Sequence, residues 1–248
     1  MTQSQPQRMT QDEAKRMAAR RAVEFVEDGM LLGLGSGSTA TMFIEELGAR
    51  VKEGLRVRGI ATSDASRQLA ESLSIPMTTF EESPVLDLDV DGADEIGPGL
   101  ALIKGGGGAM LREKIVASAA RRFIVIADSR KLVRRLGRFP LPVEVIQMAL
   151  PIVSRKLEAL GLHPHLRLHA DGSKYITDEG NFILDCSCGE IADPGKTAAS
   201  IRGIAGVVEH GLFLGMASLA LIASEKGVLE VGRLYGARYE KAVASLAS

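Results

Sequence analysis

The sequence predicts an α/β fold in two units: a parallel sheet of the doubly wound type, and a smaller α+β unit inserted before the chain returns to the first. Three observations point there. Short apolar runs alternate with helix-like segments as far as Asp128, the pattern of a parallel sheet with helical crossovers. After Phe139-Pro-Leu-Pro142 the order becomes strand, helix, strand, strand, helix, strand, the ferredoxin-like unit. The last 35 residues carry apolar runs again, at 217–223 and 228–231. The first unit is therefore assigned residues 10–138 and 214–248, the second residues 139–213.

Each element has a local cause. Residues 1–9, rich in Gln, Ser and Pro, read as a disordered leader. Thr10 followed by Glu13 is a capping box, opening a helix that runs to about Val26 and stops at Asp28-Gly29. Residues 30–34 form a buried strand, 35–38 a loop and 39–52 a helix. A second strand spans 57–62, a helix 64–72 and a third strand 85–90, whose alternation puts Asp87 and Asp89 on the polar face of a half-buried strand. Residues 109–122 read as a helix and 123–127 as an apolar strand ending at Asp128. In the second unit strands are expected at 143–147, 166–170, 181–186 and 206–213, and helices at 151–160 and 195–204.

Composition narrows the function classes. The chain has 248 residues, 46% hydrophobic and 25% charged, ordinary values for a soluble globular protein. A net charge of −1 offers no nucleic-acid surface. No apolar run approaches the roughly 18 residues of a membrane span, and the polar N-terminus is no signal peptide. Cys186 and Cys188 stand too close to staple the fold, so a cytoplasmic location is expected.

Chemistry concentrates in Asp91-Gly-Ala-Asp94-Glu95 and Lys104-Gly-Gly-Gly-Gly-Ala-Met-Leu-Arg112-Glu113-Lys114. Asp91 and Asp94 fall at the carboxyl end of a strand and the glycine run at a helix N-terminus, where sites form in open α/β sheets. Taken singly, the two aspartates read equally as turn-formers. Glu113 reads either as a surface Glu favoured by the helix dipole or, near Met110 and Ala117, as a carboxylate whose environment suits a base. Lys104 and Lys131 place positive charge beside flexible turns. Gly33-Leu-Gly35-Ser36-Gly37-Ser38-Thr39 joins a strand to a helix and favours an anion. Ser38 stands where a dinucleotide fingerprint needs Gly, and there is no Gly-Lys-Ser/Thr ending of a P-loop. A calcium loop beginning at Asp87 fails because its twelfth residue is Pro98. The histidines and cysteines form no convincing zinc set. No cofactor and no metal are expected.

The chain closely resembles the ribose-5-phosphate isomerase family of type A. The motifs are Gly35-Ser-Gly-Ser-Thr39, Ser63-Asp-Ala-Ser66, Val90-Asp-Gly-Ala-Asp-Glu95, Lys104-Gly-Gly-Gly107, Arg112-Glu-Lys114, Ile126-Ala-Asp128 with Lys131, and Phe139-Pro-Leu-Pro-Val-Glu-Val145, in family order over residues 10 to 215. The resemblance implies metal-free interconversion of ribose 5-phosphate and ribulose 5-phosphate through a cis-enediolate, in the pentose phosphate pathway. It implies a Rossmann-like domain carrying a smaller ferredoxin-like lid domain. Glu113 matches the catalytic base. Ser36, Gly37, Ser38 and Thr39, Asp91, Gly92, Ala93 and Asp94, Lys104, Gly105, Gly106 and Gly107, and Lys131 match substrate-binding segments; Lys15 matches a lysine near the phosphate. Lys104 would stabilise the enediolate oxygen and Asp91 would assist ring opening. The partner is then a pentose phosphate, with neither nucleic acid nor membrane, and a homo-oligomer, dimer or tetramer, is expected. Ser36 departs from the family's usual Thr, the leader is longer, and the tail after Ser224 follows no family pattern. The rival classes are a sugar-phosphate-sensing regulator, for which the leader is too short, and an amino-sugar phosphate deaminase or coenzyme A transferase, against which Glu113 between Arg112 and Lys114 speaks.

Overall fold

The computed structural model describes residues 9–247; the expected leader lies outside the described residues except for Met9, which packs against the core. Along the chain run α1 (Gln11–Val23), β1 (Leu31–Leu34), α2 (Gly37–Lys52), β2 (Arg58–Ala61), α3 (Asp64–Ser72) and β3 (Leu86–Asp91). Next come β4 (Glu95–Ile96), β5 (Leu102–Ile103), α4 (Met110–Ala119), β6 (Ala120–Asp128) and β7 (Leu141–Val145). They are followed by α5 (Leu150–Ala159), β8 (Pro164–Leu166), β9 (Phe182–Cys186), α6 (Pro194–Arg202) and β10 (Val207–His210). The chain closes with β11 (Leu212–Phe213), β12 (Leu219–Ser224), β13 (Gly227–Val231) and α7 (Gly236–Ala247).

The main sheet has six strands in the order β13-β12-β6-β3-β1-β2, parallel throughout except for the antiparallel edge pair β12–β13. Side chains alternate across it. Leu32, Leu34, Leu88, Val90, Ile124, Ile126, Leu221 and Ala223 belong to one core with α1 and α2. Phe123, Val125, Ala127, Ala220 and Ile222 belong to a second core with Ala117 of α4, Leu102 and Phe213. Asp89 and Asp91 share the phase of this second set, so both aspartates are turned toward α4. Thr10 caps α1 with the expected reciprocal bonds to Glu13, and Ser63 caps α3.

A four-stranded antiparallel sheet, ordered β10-β7-β9-β8, packs with α5 and α6 around Val143, Val145, Leu157, Leu184, Cys186 and Ile201. A three-stranded sheet, β11-β5-β4, lies beside Lys104. No helix among the described residues is long and apolar enough to cross a membrane.

Several expectations change. Residues 120–122 leave the helix for β6, because the β3 register continues through Leu86↔Ala120 and Leu88↔Arg122. Helix α2 begins at Gly37, so Gly37 and Ser38 join Thr39 in its first turn instead of preceding it. The strand expected at 166–170 lies at Pro164–Leu166, fixed by pairing of Pro164 with Cys186. The run 206–213 divides at Gly211, where its N–H bonds Pro142 and its carbonyl accepts from the Lys104 N–H, so Leu212 and Phe213 join the other small sheet. The tail supplies an edge strand and α7, whose Tyr239 hydroxyl donates to the carbonyls of Ile96 and Val133. Asp89 is not on a half-buried polar face: it is fully buried, because both faces of the sheet are covered.

Candidate active site

The site begins with a pairing of small and acidic residues. Gly33 and Gly35 on and after β1 lie against Asp89 and Asp91 of β3, and a Cβ at either glycine would collide with the facing carboxylate. These glycines make room for acids. Asp91, the last residue of β3, is fully buried; its Oδ1 accepts from the N–H of Ser36 (2.9 Å) and of Gly92 (2.7 Å). Its Oδ2 lies 2.8 Å from Nζ of Lys104.

Lys104, delivered by β5, is 2% exposed and also donates to the Gly92 carbonyl at 2.6 Å. Glu113 enters from the first turn of α4, is 4% exposed, and places Oε2 3.4 Å from the same Nζ. One ammonium thus serves two carboxylates, with the unpartnered Asp89 carboxyl as a third nearby. Burial raises the Glu113 carboxyl to about 8 against the pull of Lys104, and Asp91 and Asp94 push the same way. Burial opposes the charge on Lys104, but Asp91 and Glu113 outweigh it and hold the ammonium well above its ordinary range. Burial, with the Asp91 charge adding to it, raises the Asp89 carboxyl well above its ordinary value.

A cleft opens above this group. It is lined by Lys15, Ser36, Gly37, Ser38, Thr39, Gly92, Ala93, Asp94, Lys104, Gly105, Gly106, Gly107, Glu113 and Lys131, with Gln11 added. Every residue expected from sequence is therefore brought together at its surface except Asp91, which lies behind Lys104. Ser36 differs from its neighbours in the loop: its N–H is taken by Asp91 and its hydroxyl is 2.5 Å from that of Thr62. Ser38 and Thr39, with the unpaired first N–H groups of α2, face the cleft with Lys15 and Lys131 and make its positive end.

The residues flanking Glu113 fasten its helix. Arg112 pairs with Asp64, Asp178 and Glu179, at 2.7, 3.3 and 2.5 Å. Lys114 lies 2.8 Å from Glu209 and donates to the His210 carbonyl, over the ring of Phe213. Sequence reasoning missed Gln11 and the burial of Asp89 beside the site. Only Asp89 carried a signal, two residues before Asp91 on the same face of one strand. Among the described residues no group of three or more His, Cys, Asp or Glu is placed to hold a metal ion.

The arrangement is suited to moving a proton at carbon while a fixed cation steadies an adjacent oxygen. Known proteins match it. The family model for ribose 5-phosphate isomerase A (phosphoriboisomerase A) matches residues 58–227. A ribose-5-phosphate isomerase A of Roseiflexus sp. (strain RS-1) is 56% identical over 220 residues, covering 88% of this chain and 94% of that one. The crystal structure of ribose 5 phosphate isomerase A from Neisseria gonorrhoeae superposes with a TM-score of 0.87 at 42% identity, covering 92% of this chain and all (100%) of the other. A D-ribose-5-phosphate isomerase in complex with phospho-erythronic acid superposes with a TM-score of 0.88 at 38% identity, over 91% of this chain and 100% of the other.

Proposed function

Because the chain belongs to the ribose 5-phosphate isomerase A family and interconverts ribose 5-phosphate and ribulose 5-phosphate, we propose that Glu113 carries the proton between the two carbons. The observation that supports this is Lys104 Nζ held between Asp91 and Glu113 at the floor of the cleft. Starting from the aldose, the Glu113 carboxylate removes the C2 proton. The C–H electron pair forms the C1–C2 double bond, and the carbonyl pair moves onto O1. The Lys104 ammonium stabilises that oxygen in the resulting cis-enediolate. A proton passes from O2 to O1, Glu113 returns its own to C1, and O2 becomes the ketone. One carboxylate can serve both carbons because they are adjacent.

Asp91 contributes from behind. With every bond turned to Ser36, Gly92 and Lys104, it sets the position of the ammonium. Ring opening falls instead to Asp94, the aspartate that lines the cleft. The smaller unit, residues 139–213, is read as a ferredoxin-like lid on a Rossmann-like catalytic domain of residues 10–138 and 214–248; the β10-β7-β9-β8 order with α5 and α6 supports the first part of that reading. Cytoplasmic action as a homo-oligomer, dimer or tetramer, completes it, and light scattering on the eluted protein gives the state.

The phosphate is assigned to Ser38, Thr39, Lys15 and Lys131. Ser38→Ala with Thr39→Val removes two hydroxyl donors from the first turn of α2. Hydrogen bonds to a charged group are worth about 1.5–3 kcal/mol each, so affinity is expected to fall by about one to several powers of ten. Inorganic phosphate should weaken as an inhibitor in step. Undiminished anion inhibition in the folded variant would move the phosphate to another part of the cleft.

No metal is required in this scheme, since Lys104 supplies the positive charge. Ribose 5-phosphate isomerisation is expected to survive exhaustive dialysis against a chelator. Activity lost and regained with zinc or magnesium would contradict the assignment of Lys104.

A further inference from the structure

Residues 105–107 form the wall of the cleft facing Asp94, and their backbone is held from outside by side chains of the smaller unit. Nη1 of Arg167, just past β8, donates to the Gly105 carbonyl (2.9 Å) and to the Gly106 carbonyl (3.2 Å). The rest of the guanidinium is locked on Asp185 of β9, with Nε to Oδ2 at 2.8 Å and Nη2 to Oδ1 at 2.5 Å. Tyr175, its ring 5.7 Å from the Arg167 guanidinium carbon, donates its hydroxyl to the Gly107 carbonyl at 3.2 Å. Arg167 is nearly buried, its side chain 13% exposed. None of these three side chains lines the cleft.

Peptide planarity turns this outer grip into an inner arrangement. In a trans peptide the C=O and the following N–H point in opposite directions. With the Gly105 carbonyl on Arg167, the Gly106 N–H is turned to the other side, where it donates to Asp94 at 2.7 Å. The Gly106 carbonyl also faces Arg167, so the Gly107 N–H points the same way as that of Gly106, on the cleft side. Gly105 has φ of +103°, which side-chain-bearing residues rarely adopt, and its carbonyl also accepts from the Gly108 N–H at 3.0 Å, so the grip of Arg167 adds to a turn the loop makes itself. A guanidinium on the Gly106 carbonyl also polarises that peptide and strengthens its N–H as a donor.

We infer that Arg167, anchored by Asp185 and assisted by Tyr175, is a positioning residue of the isomerase: it holds the 105–107 backbone so that the Gly107 N–H meets the oxygens of the enediolate. This rests on the reading of the cleft given above. The effect is confined to the reacting end and leaves the phosphate end alone.

The test uses the full-length enzyme and four variants, Arg167→Met, Arg167→Lys, Tyr175→Phe and Glu113→Gln. Two inhibitors are titrated: 4-phospho-erythronic acid, whose carboxylate imitates the enediolate oxygens, and inorganic phosphate. Arg167→Met is expected to weaken the aldonate by about 10- to 100-fold and to lower kcat by a similar factor, the loss of one charge-assisted bond, with phosphate unchanged. Arg167→Lys, with the charge but no fork, falls between Met and the wild type. Tyr175→Phe loses one neutral bond, about 2- to 10-fold on the aldonate alone, and it decides the matter if Arg167→Met does not fold. Equal weakening of both inhibitors, or wild-type values for Tyr175→Phe and every folded Arg167 variant, overturns the inference. Glu113→Gln separates the two levels: if it stays active the reading of the site is wrong, and if it is inactive while Arg167→Met and Tyr175→Phe behave as wild type, only the clamp is wrong.

Discussion

Glu113→Gln is expected to bind ribose 5-phosphate and turn almost none of it over. The amide keeps the shape of the side chain at the first turn of α4 but cannot accept the C2 proton. Loss of a general base costs about 10²–10⁴-fold, and here the same group also returns the proton, so kcat should fall by at least that factor with KM little changed. The wild-type pH profile carries the same signature. The base must be ionised, and burial raises Glu113 to about 8, so kcat/KM is expected to climb with pH through a range far above that of an ordinary carboxylate. That ascending limb should vanish in the Gln variant. A Gln variant with wild-type kcat would mean that another group is the base.

Lys104→Met should injure both activity and stability. It removes the cation expected to stabilise the enediolate, a loss of about 10²–10³ in kcat by comparison with oxyanion donors. It also leaves buried carboxyls without their counter-ion, which for a broken buried pair costs about 3–5 kcal/mol. The pH dependence has a definite sign. Lys104 lowers both Glu113 and Asp89 in the wild type, so its removal drives both further up. Both folded proteins keep the Glu113 proton that the unfolded chain releases above about pH 4, so they lose stability in parallel until the wild-type group ionises at about 8; the deficit of the variant widens only as pH rises through that value. The acid limb of any residual activity should shift upward as well. Denaturant titrations at about pH 6 and about pH 9, on either side of the wild-type ionisation, check this: a deficit equal at both values would show that Lys104 does not govern the carboxyl cluster.

What was legible in the sequence was what local chemistry determines. The capping box at Thr10 and the apolar β-runs of the main sheet needed no tertiary knowledge, and the Asp91-to-Lys114 stretch pointed to the cleft because strand ends and helix starts meet there. Glycines 33 and 35 were harder. They read as freedom for a phosphate loop, whereas their lack of side chains admits Asp89 and Asp91. Asp89 was misread because alternation tells which face a residue takes and not whether that face is covered. Strands of two residues, such as β4 and β5, have no period to detect. The α4–β6 junction is set by register with β3, a partner distant in sequence. Arg167 and Tyr175 reach the glycine loop from more than 60 positions away along the chain, so no local pattern announces them.

Hydrogen exchange at C2 of the substrate tests the central claim most directly. Ribose 5-phosphate is incubated in D2O with the wild-type enzyme or with Glu113→Gln, and proton NMR follows the C2 signal of the aldose and the C1 signals of the ketose. A single carboxylate acting at both carbons predicts that the wild type places deuterium on one face of C1 only, and that the Gln variant, with substrate bound, exchanges neither position. Exchange at C2 by the Gln variant at the wild-type rate, or deuterium on both faces of C1 during enzymic turnover, would contradict Glu113 as the proton carrier.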